Sequence, residues 1–160
     1  MYTDHHSKPF FHYAVQHGSV ELVQFLLHHL NSPQIHWKDD KIRSALHFAA
    51  ESGRLPIFKC LNHFDVYARD RLDWNVLHFA SKSGNVELFD YLITNYTFDI
   101  DQSAQLQGEI SLLASHANAY QIATCYGNPF VIKSIIQFDP TFDVNVLTSH
   151  LIALGDFISH

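Results

Sequence analysis

The sequence lacks most of the features that mark secreted, membrane-spanning and disulfide-stabilised proteins. Its two cysteines, Cys60 and Cys125, form no C-x-x-C pair, so free, buried thiols in a reducing compartment are expected. The first ten residues contain no basic segment followed by an apolar run, and no later stretch is apolar over the thickness of a bilayer. These absences predict a cytoplasmic protein without membrane insertion.

Charge is also scarce, since only 16% of the 160 residues are Asp, Glu, Lys or Arg, and the formal net charge is -6. The cations are concentrated in residues 38–82, where eight Lys or Arg face six Asp or Glu, whereas residues 83–160 hold one lysine and eight acids. Nucleic-acid binding usually needs a net basic stripe. The interleaved acids therefore argue against a nucleic-acid partner and leave a mildly basic patch, suited to a modest acidic patch on a protein.

No motif of a known catalytic centre is present. The chain has no G-x-S-x-G turn and no glycine-rich phosphate loop. Cys60, His63 and Asp65 are the nearest approach to a nucleophile with a base and an orienting acid. Cys60, however, falls on the apolar face of a predicted helix and is expected to pack in the core. We therefore predict no catalytic residues and no enzyme activity.

Thirteen histidines raise the question of a metal site. The adjacent pairs at 5–6 and 28–29 point in different directions on a helix or strand, and neither H-E-x-x-H nor C-x-x-C accompanies them. The sequence therefore predicts no metal ligands, and no cofactor is expected.

Four segments of the chain resemble one another. Residues 11–18 are FHYAVQHG, residues 46–53 LHFAAESG and residues 77–84 LHFASKSG, and a weaker copy, YQIATCYG, occupies residues 120–127. The first three share a histidine, an aromatic residue, an alanine and a glycine six places after the histidine. Each glycine is followed by a stretch with the apolar spacing of a second amphipathic helix, which in three units has a capping residue at its start: Ser19, Asn85 or Asn128. One helix pair cannot bury its apolar face alone, so such units must stack.

This pattern resembles the ankyrin repeat. The family motif T-P-L-H-x-A-A-x-x-G is best matched by residues 44–53, SALHFAAESG, and its D-V-N-A-x-D-x-x-G finger by residues 65–73, DVYARDRLD. Asp73 stands where the family has the turn glycine. The resemblance covers residues 7–145. It implies an all-α ankyrin-repeat solenoid of about four helix-turn-helix units, with short β-hairpin-like fingers and an irregular C-terminal end.

With 47% hydrophobic residues, the chain is expected to form a single ankyrin-repeat domain over residues 1–160. Residues 103–116 have helical apolar spacing, which predicts an extra helix or a long loop in place of a finger. Residues 145–160 supply half a repeat, so they form either an adapted cap or, as we favour, the point where a longer protein continues. The predicted boundaries are repeats at 7–38, 39–71 and 72–101, an insert at 102–117, a repeat at 118–144 and a partial repeat at 145–160.

In a stacked solenoid, fingers and first helices line one side, where side chains not needed for packing are free to meet a partner. Arg43, Arg71 and Trp74 are predicted as central anchors, because Trp and Arg dominate interface energetics. An alternative for Trp74 is that its ring folds back against Trp37 or the neighbouring finger. The full predicted partner-binding surface, with its rim charges, is Lys41, Arg43, Glu51, Arg71, Leu72, Trp74, Lys82, Ser83 and Tyr126.

The resemblance implies a non-catalytic, monomeric module that binds another protein through its concave face and finger tips. It also implies hydrogen bonds between neighbouring units from the histidine position of the repeat, occupied by His12, His47 and His78. An alternative hypothesis is a targeting or substrate-recruiting arm of a larger enzyme or effector whose catalytic domain lies beyond residue 160. Ankyrin modules occur in effectors that intracellular bacteria deliver into host cells. The degenerate repeats and the His-, Phe- and Asn-rich composition favour such an effector, acting in the host cytosol.

Overall fold

The structure, a computed structural model, describes residues 9–107 and 115–139. Within these ranges it contains nine helices and one short two-stranded sheet. The partial repeat predicted at 145–160 lies outside the described residues. The elements are α1 (Phe10–His17), α2 (Val20–His29), α3 (Ser32–Ile35), α4 (Ala45–Glu51), α5 (Leu55–Cys60), α6 (Val76–Ser83), α7 (Val86–Asn95), β1 (Ala104–Gln105), β2 (His116–Ala117), α8 (Ala119–Cys125) and α9 (Pro129–Phe138).

One antiparallel pair of helices falls within each predicted repeat: α1 with α2, α4 with α5, α6 with α7, and α8 with α9. The turn between paired helices follows from local sequence. In the third unit Gly84 ends α6 with φ of +73°, and the Asn85 side chain then accepts a hydrogen bond from Leu88 N at 2.8 Å, which caps α7. A Cβ at position 84 would lie 2.5 Å from Asn128 Oδ1 of the next unit. The glycine therefore serves both the turn and the stacking.

The first helices of the pairs, α1, α4, α6 and α8, pack side by side and carry most of the core. All residues from Ala45 to Ala50 in α4 and from Val76 to Ser81 in α6 are buried. The second helices form an outer layer and bury one face, as α7 does with Leu88, Phe89, Leu92 and Ile93. The described part of the chain is thus an all-α solenoid with a continuous core.

Two finger turns, residues 39–43 and 70–74, precede the second and third helix pairs and have the same build. In each, an aspartate at the first position accepts hydrogen bonds from two backbone N–H groups of the turn, at 2.7 to 3.0 Å. The fourth position is left-handed, with φ of +65° at Ile42 and +63° at Asp73. Asp73 therefore adopts the conformation of the turn glycine that it replaces, and Ile42 does so too.

Backbone hydrogen bonds join the fingers to one another. Arg71 N donates to Lys41 O at 2.9 Å, which links the first finger to the second. Gln105 N donates to Leu72 O at 2.9 Å, which links the second finger to the insert. The three segments therefore lie side by side in a short ladder.

Two repeat histidines join the first helices to the segments that follow their helix pairs. His47 Nδ1 accepts a hydrogen bond from Ser44 N at 3.0 Å, so Nε2 carries the proton and donates to Ala68 O at 3.1 Å. His78 makes the same two kinds of bond in the third unit. Both histidines thus hydrogen-bond backbone groups, but only the His78 bond leaves its predicted repeat, since Ala68 lies within the repeat of His47. The His12 ring is buried and stacks on an aromatic ring of the second unit at 4.7 Å.

For residues 103–116 the sequence predicts an extra helix or a long loop, and the described ends of the segment contain no helix. Ala104–Gln105 and His116–Ala117 are extended and pair antiparallel, with Ala104 opposite Ala117. Both of these alanines are buried, so the strand pair is held against the core. The middle of the segment, residues 108–114, lies outside the described residues.

Candidate functional site

A cleft of about 210 Å³ opens between the fingers, the first helices and the insert. Its lining includes charged groups from both fingers, α4 and α6, and apolar groups from the second finger, α6 and the insert. Seven of its lining residues belong to the nine predicted from sequence as a partner-binding surface. The lining consists of Lys41, Arg43, Glu51, Asp70, Leu72, Trp74, Phe79, Lys82, Leu106, Gln107 and Tyr126.

Four charged side chains form a chain of ion pairs along one wall of the cleft. Arg43 Nη2 lies 2.8 Å from Asp39 Oδ2, and Arg43 Nη1 lies 3.3 Å from Glu51 Oε2. Lys82 Nζ lies 2.7 Å from Glu51 Oε1. The Arg43 guanidinium also lies 4.4 Å from the centre of the Phe48 ring, a cation–π contact. The two cations are therefore neutralised within the chain itself, and this wall lacks the basic surplus that the composition suggested.

Trp74 forms the floor of the cleft. It is 7% exposed, its Nε1–H donates to Gln105 O at 2.7 Å, and its ring centre lies 5.1 Å from that of Phe79. Trp74 therefore folds back on the neighbouring segment, which is one of the two arrangements considered from the sequence. Because the ring is buried, a partner can reach only its rim. Trp74 is thus mainly a packing residue and cannot act as a fully exposed anchor.

Asp70 is a buried carboxylate that lines the cleft, with 7% of the residue exposed. Its Oδ1 accepts hydrogen bonds from Leu72 N at 2.8 Å and Trp74 N at 2.9 Å. Burial raises the pKa of Asp70, although these two N–H groups and the nearby charge of Arg43 act in the opposite direction. The equivalent residue of the first finger, Asp39, also receives Arg43 Nε on its Oδ2 at 2.8 Å. Trp74 stands in the place of Arg43, so the second finger lacks this cation.

The rest of the predicted surface is divided between the cleft and its surroundings. Leu72 is half-buried and Tyr126 is 39% exposed, and both supply apolar area to the lining. Lys41 is exposed at the edge. Arg71 is exposed on the adjoining finger tip, outside the lining. Ser83 also lies outside it, with its Oγ donating to a backbone carbonyl of α6 at 2.9 Å.

Four lining residues were not among those predicted, and for different reasons. Asp70 follows Asp39 by 31 residues, the spacing between the second and third repeats, so the repeat register carried a signal for it. Phe79 is the aromatic residue of the repeat motif, a position that packing between stacked units explains without a partner. Leu106 and Gln107 belong to the insert, where no repeat register exists to place them.

The residues considered for catalysis do not combine into a catalytic arrangement. Cys60 Sγ donates to Pro56 O at 3.3 Å, and Asp65 Oδ1 accepts a hydrogen bond from Tyr67 N at 3.0 Å. The His63 ring packs against neighbouring aromatic and histidine rings. Each of the three side chains thus has its contacts elsewhere.

Within residues 9–107 and 115–139, no group of three or more His, Cys, Asp or Glu is placed to hold a metal ion, and no helix is long and apolar enough to cross a membrane. Cys60 and Cys125 are half-buried free thiols. Burial raises the pKa of Cys125, which disfavours the reactive thiolate there.

The family model of ankyrin repeats, in three copies, matches residues 11–105. The chain belongs to the ankyrin-repeat family. The matched range holds the three ankyrin units built from α1 to α7, and the pair of α8 and α9 outside it continues the same stack against α6 and α7. Ankyrin repeats are generally protein–protein interaction modules. No curated protein matches this ankyrin-repeat chain.

Proposed function

We propose that this ankyrin-repeat domain is a non-catalytic module that binds a partner protein through the cleft and the finger tips beside it. The observation that supports the proposal is the structure of the cleft. It has side chains that a partner can reach, and the charged side chains of one wall are already fixed by ion pairs. Ion pairs fix Arg43, Glu51 and Lys82 without a partner. Binding against such a wall loses little side-chain entropy, which favours affinity.

The contact groups are of two kinds. Leu72 and Tyr126 offer apolar area in the cleft. Lys41 and Arg71 are exposed on adjacent finger tips, which the hydrogen bond from Arg71 N to Lys41 O holds together. Exposed charges of this kind steer an approaching partner and lose influence as salt screens them. Partner association should therefore slow as the salt concentration rises.

Crosslinking tests whether the cleft is the binding surface. A photo-reactive phenylalanine analogue is placed at position 126 in the full chain, and in a control at position 25. Phe25 is also an exposed aromatic residue, but it lies on the outer helix α2. A protein bound in the cleft should crosslink from position 126 and not from position 25.

Affinities for the protein captured in this way give a second test. Lys41→Ala and Tyr126→Ala are each expected to weaken binding about tenfold, since both remove accessible contacts. Lys133→Ala on α9 and Phe25→Ala on α2 are matched changes on the outer layer and should leave the affinity unchanged. Equal losses from both pairs, with helix content retained, would contradict the proposal.

A further inference from the structure

The two finger turns differ in how their aspartates are paired. Asp39 Oδ2 receives Nε and Nη2 of Arg43, both at 2.8 Å, so both of its oxygens are engaged. Asp70 holds the same position in the second finger, and its Oδ1 accepts two backbone N–H groups. No group of the described residues donates to its Oδ2.

The missing donor follows from a single residue. Position 74 holds tryptophan where the first finger has Arg43, and Trp74 directs its only side-chain N–H to Gln105 O. Asp70 is nevertheless as buried as a core residue, at 7% exposure, and it lines the cleft. Burial disfavours the charged form and raises the pKa of Asp70, although the nearby charge of Arg43 acts in the opposite direction. The unpaired Oδ2 is not fully buried, so it remains accessible from the cleft. The free oxygen is thus an acceptor that a donor entering the cleft would satisfy.

We propose that an arginine of the partner protein enters the cleft and donates to Asp70 Oδ2, completing the second finger as Arg43 completes the first. This inference rests on the protein-binding function proposed above. It goes beyond that function by naming the type of partner side chain that enters the cleft.

A guanidinium suits this site better than an ammonium group. In the first finger the Arg43 guanidinium contacts the carboxylate and at the same time lies over the Phe48 ring. Aromatic rings also line the cleft that Asp70 lines, those of Trp74, Phe79 and Tyr126. A planar, weakly hydrated guanidinium stacks on such rings while bonding a carboxylate, whereas a lysine offers a compact, strongly hydrated charge.

The cations already in the cleft do not exclude another one. Arg43 is compensated by Asp39, and Lys82 by Glu51. Lys41 has no ion pair among the described residues, but it is exposed at the edge, where water and salt screen its charge. Among the described residues Asp70 makes no direct ion pair, and Arg43 acts on it only at longer range.

The test uses the full chain, with a random peptide library displayed on phage as the probe. Peptides selected by the wild-type protein should share an arginine at a fixed position. A selected peptide is then synthesised, and Asp70→Asn should weaken its binding by at least about tenfold. Asparagine keeps an acceptor for the two backbone N–H groups and removes the charge. Asp73→Asn removes an exposed carboxylate from the same finger and should leave the affinity unchanged.

The arginine of the peptide provides the second half of a double-mutant cycle. Its replacement by alanine should weaken binding to the wild type by a similar factor. It should have almost no further effect on binding to Asp70→Asn, because both changes remove the same contact. Lysine in its place should recover only part of the affinity.

Stability separates recognition from a purely structural role. Asp70→Asn should not lower the melting temperature, because it breaks no direct ion pair and removes a charge that burial disfavours. Asp39→Asn is the matched change in the first finger and should lower it, because Arg43 then loses its partner. An equal fall for both variants would assign Asp70 to the fold and overturn the proposal.

The remaining outcomes distinguish this inference from the proposed function. Selected peptides without a recurrent arginine, or equal effects of Asp70→Asn and Asp73→Asn, would overturn the arginine site. If Tyr126→Ala still abolished their binding, the cleft would stand as the interaction surface. Peptides insensitive to Tyr126→Ala, or a failure to select any peptide, would count against both.

Discussion

At the residue scale, one residue in each finger turn has a left-handed backbone conformation, and in the first finger this conformation is strained. The fourth position of both turns is left-handed, and neither turn has a glycine there, because Ile42 and Asp73 occupy it. Aspartate tolerates this conformation, whereas a β-branched residue does not. At Ile42 the turn is closed by hydrogen bonds from Ile42 N to Asp39 O and from Asp39 N to Arg43 O. These bonds hold the isoleucine in a conformation that it would not adopt alone.

Ile42→Gly is expected to raise the free energy of unfolding by about 1 kcal/mol, because glycine adopts positive φ without a steric penalty. The isoleucine side chain is 41% exposed, so its removal sacrifices little packing. Urea denaturation measures the change. Ile42→Val keeps the branched Cβ and should bring no gain. A loss of stability in the glycine variant would show that packing outweighs strain at this turn.

At the element scale, side chains at the start of outer helices contact the ends of first helices in the preceding unit. Asn128, at the start of α9, donates through Nδ2 to Ser81 O at 2.7 Å and Lys82 O at 3.0 Å in α6. Arg54, before α5, donates to Val15 O in α1 at 3.3 Å. The last carbonyls of a helix have no partner within it. These contacts therefore satisfy a helix end and set the spacing between units.

Asn128→Ala is expected to lower the free energy of unfolding by about 1 to 2 kcal/mol, because it removes two such hydrogen bonds. Hydrogen exchange should quicken most in α8 and α9. Asn95→Ala is the matched control, since Asn95 Nδ2 donates to Tyr91 O within its own helix at an exposed position. Its effect should be smaller and confined to α7. Equal effects of the two substitutions would refute the linking role of Asn128.

At the scale of the whole molecule, stacking buries histidines that must remain neutral. Burial lowers the pKa of His47 to about 4, and it also lowers the pKa of His78. A second proton on His47 would break the hydrogen bond that Nδ1 accepts from Ser44 N. In the unfolded chain a histidine titrates at about 6.5. Below that pH these histidines bind a proton in the unfolded chain but stay neutral in the folded chain. Acid therefore favours unfolding.

The free energy of unfolding is therefore expected to fall as pH drops from about 6.5 to about 4, with His47 alone contributing about 3 kcal/mol over this window. Urea denaturation at pH 7.5, 5.5 and 4.5 measures the slope. His47→Gln should be less stable at pH 7.5 but lose less on acidification. His17→Gln, at an exposed position of α1, should follow the wild type. A slope unchanged by His47→Gln would argue against this account.

The sequence could predict lining residues of the cleft only at positions that belong to the repeat. Register placed Lys41, Leu72 and Tyr126 on the side of the molecule where the cleft opens, because equivalent positions of stacked units face the same way. The repeat register could not place Leu106, because the insert does not follow the repeat pattern. Nor did it show that Trp74 is buried, since its hydrogen bond to Gln105 O crosses 31 residues of sequence.

The sequence by itself determined the all-α ankyrin solenoid, because apolar spacing, helix caps and turn residues are local signals that recur with each unit. Only the tertiary structure decided which charged groups are available to a partner. Arg43, Glu51 and Lys82 satisfy one another across two units, while Asp70 keeps an open oxygen in the cleft. Ion pairing and burial depend on distances between atoms of different units. No pattern of residue spacing encodes those distances.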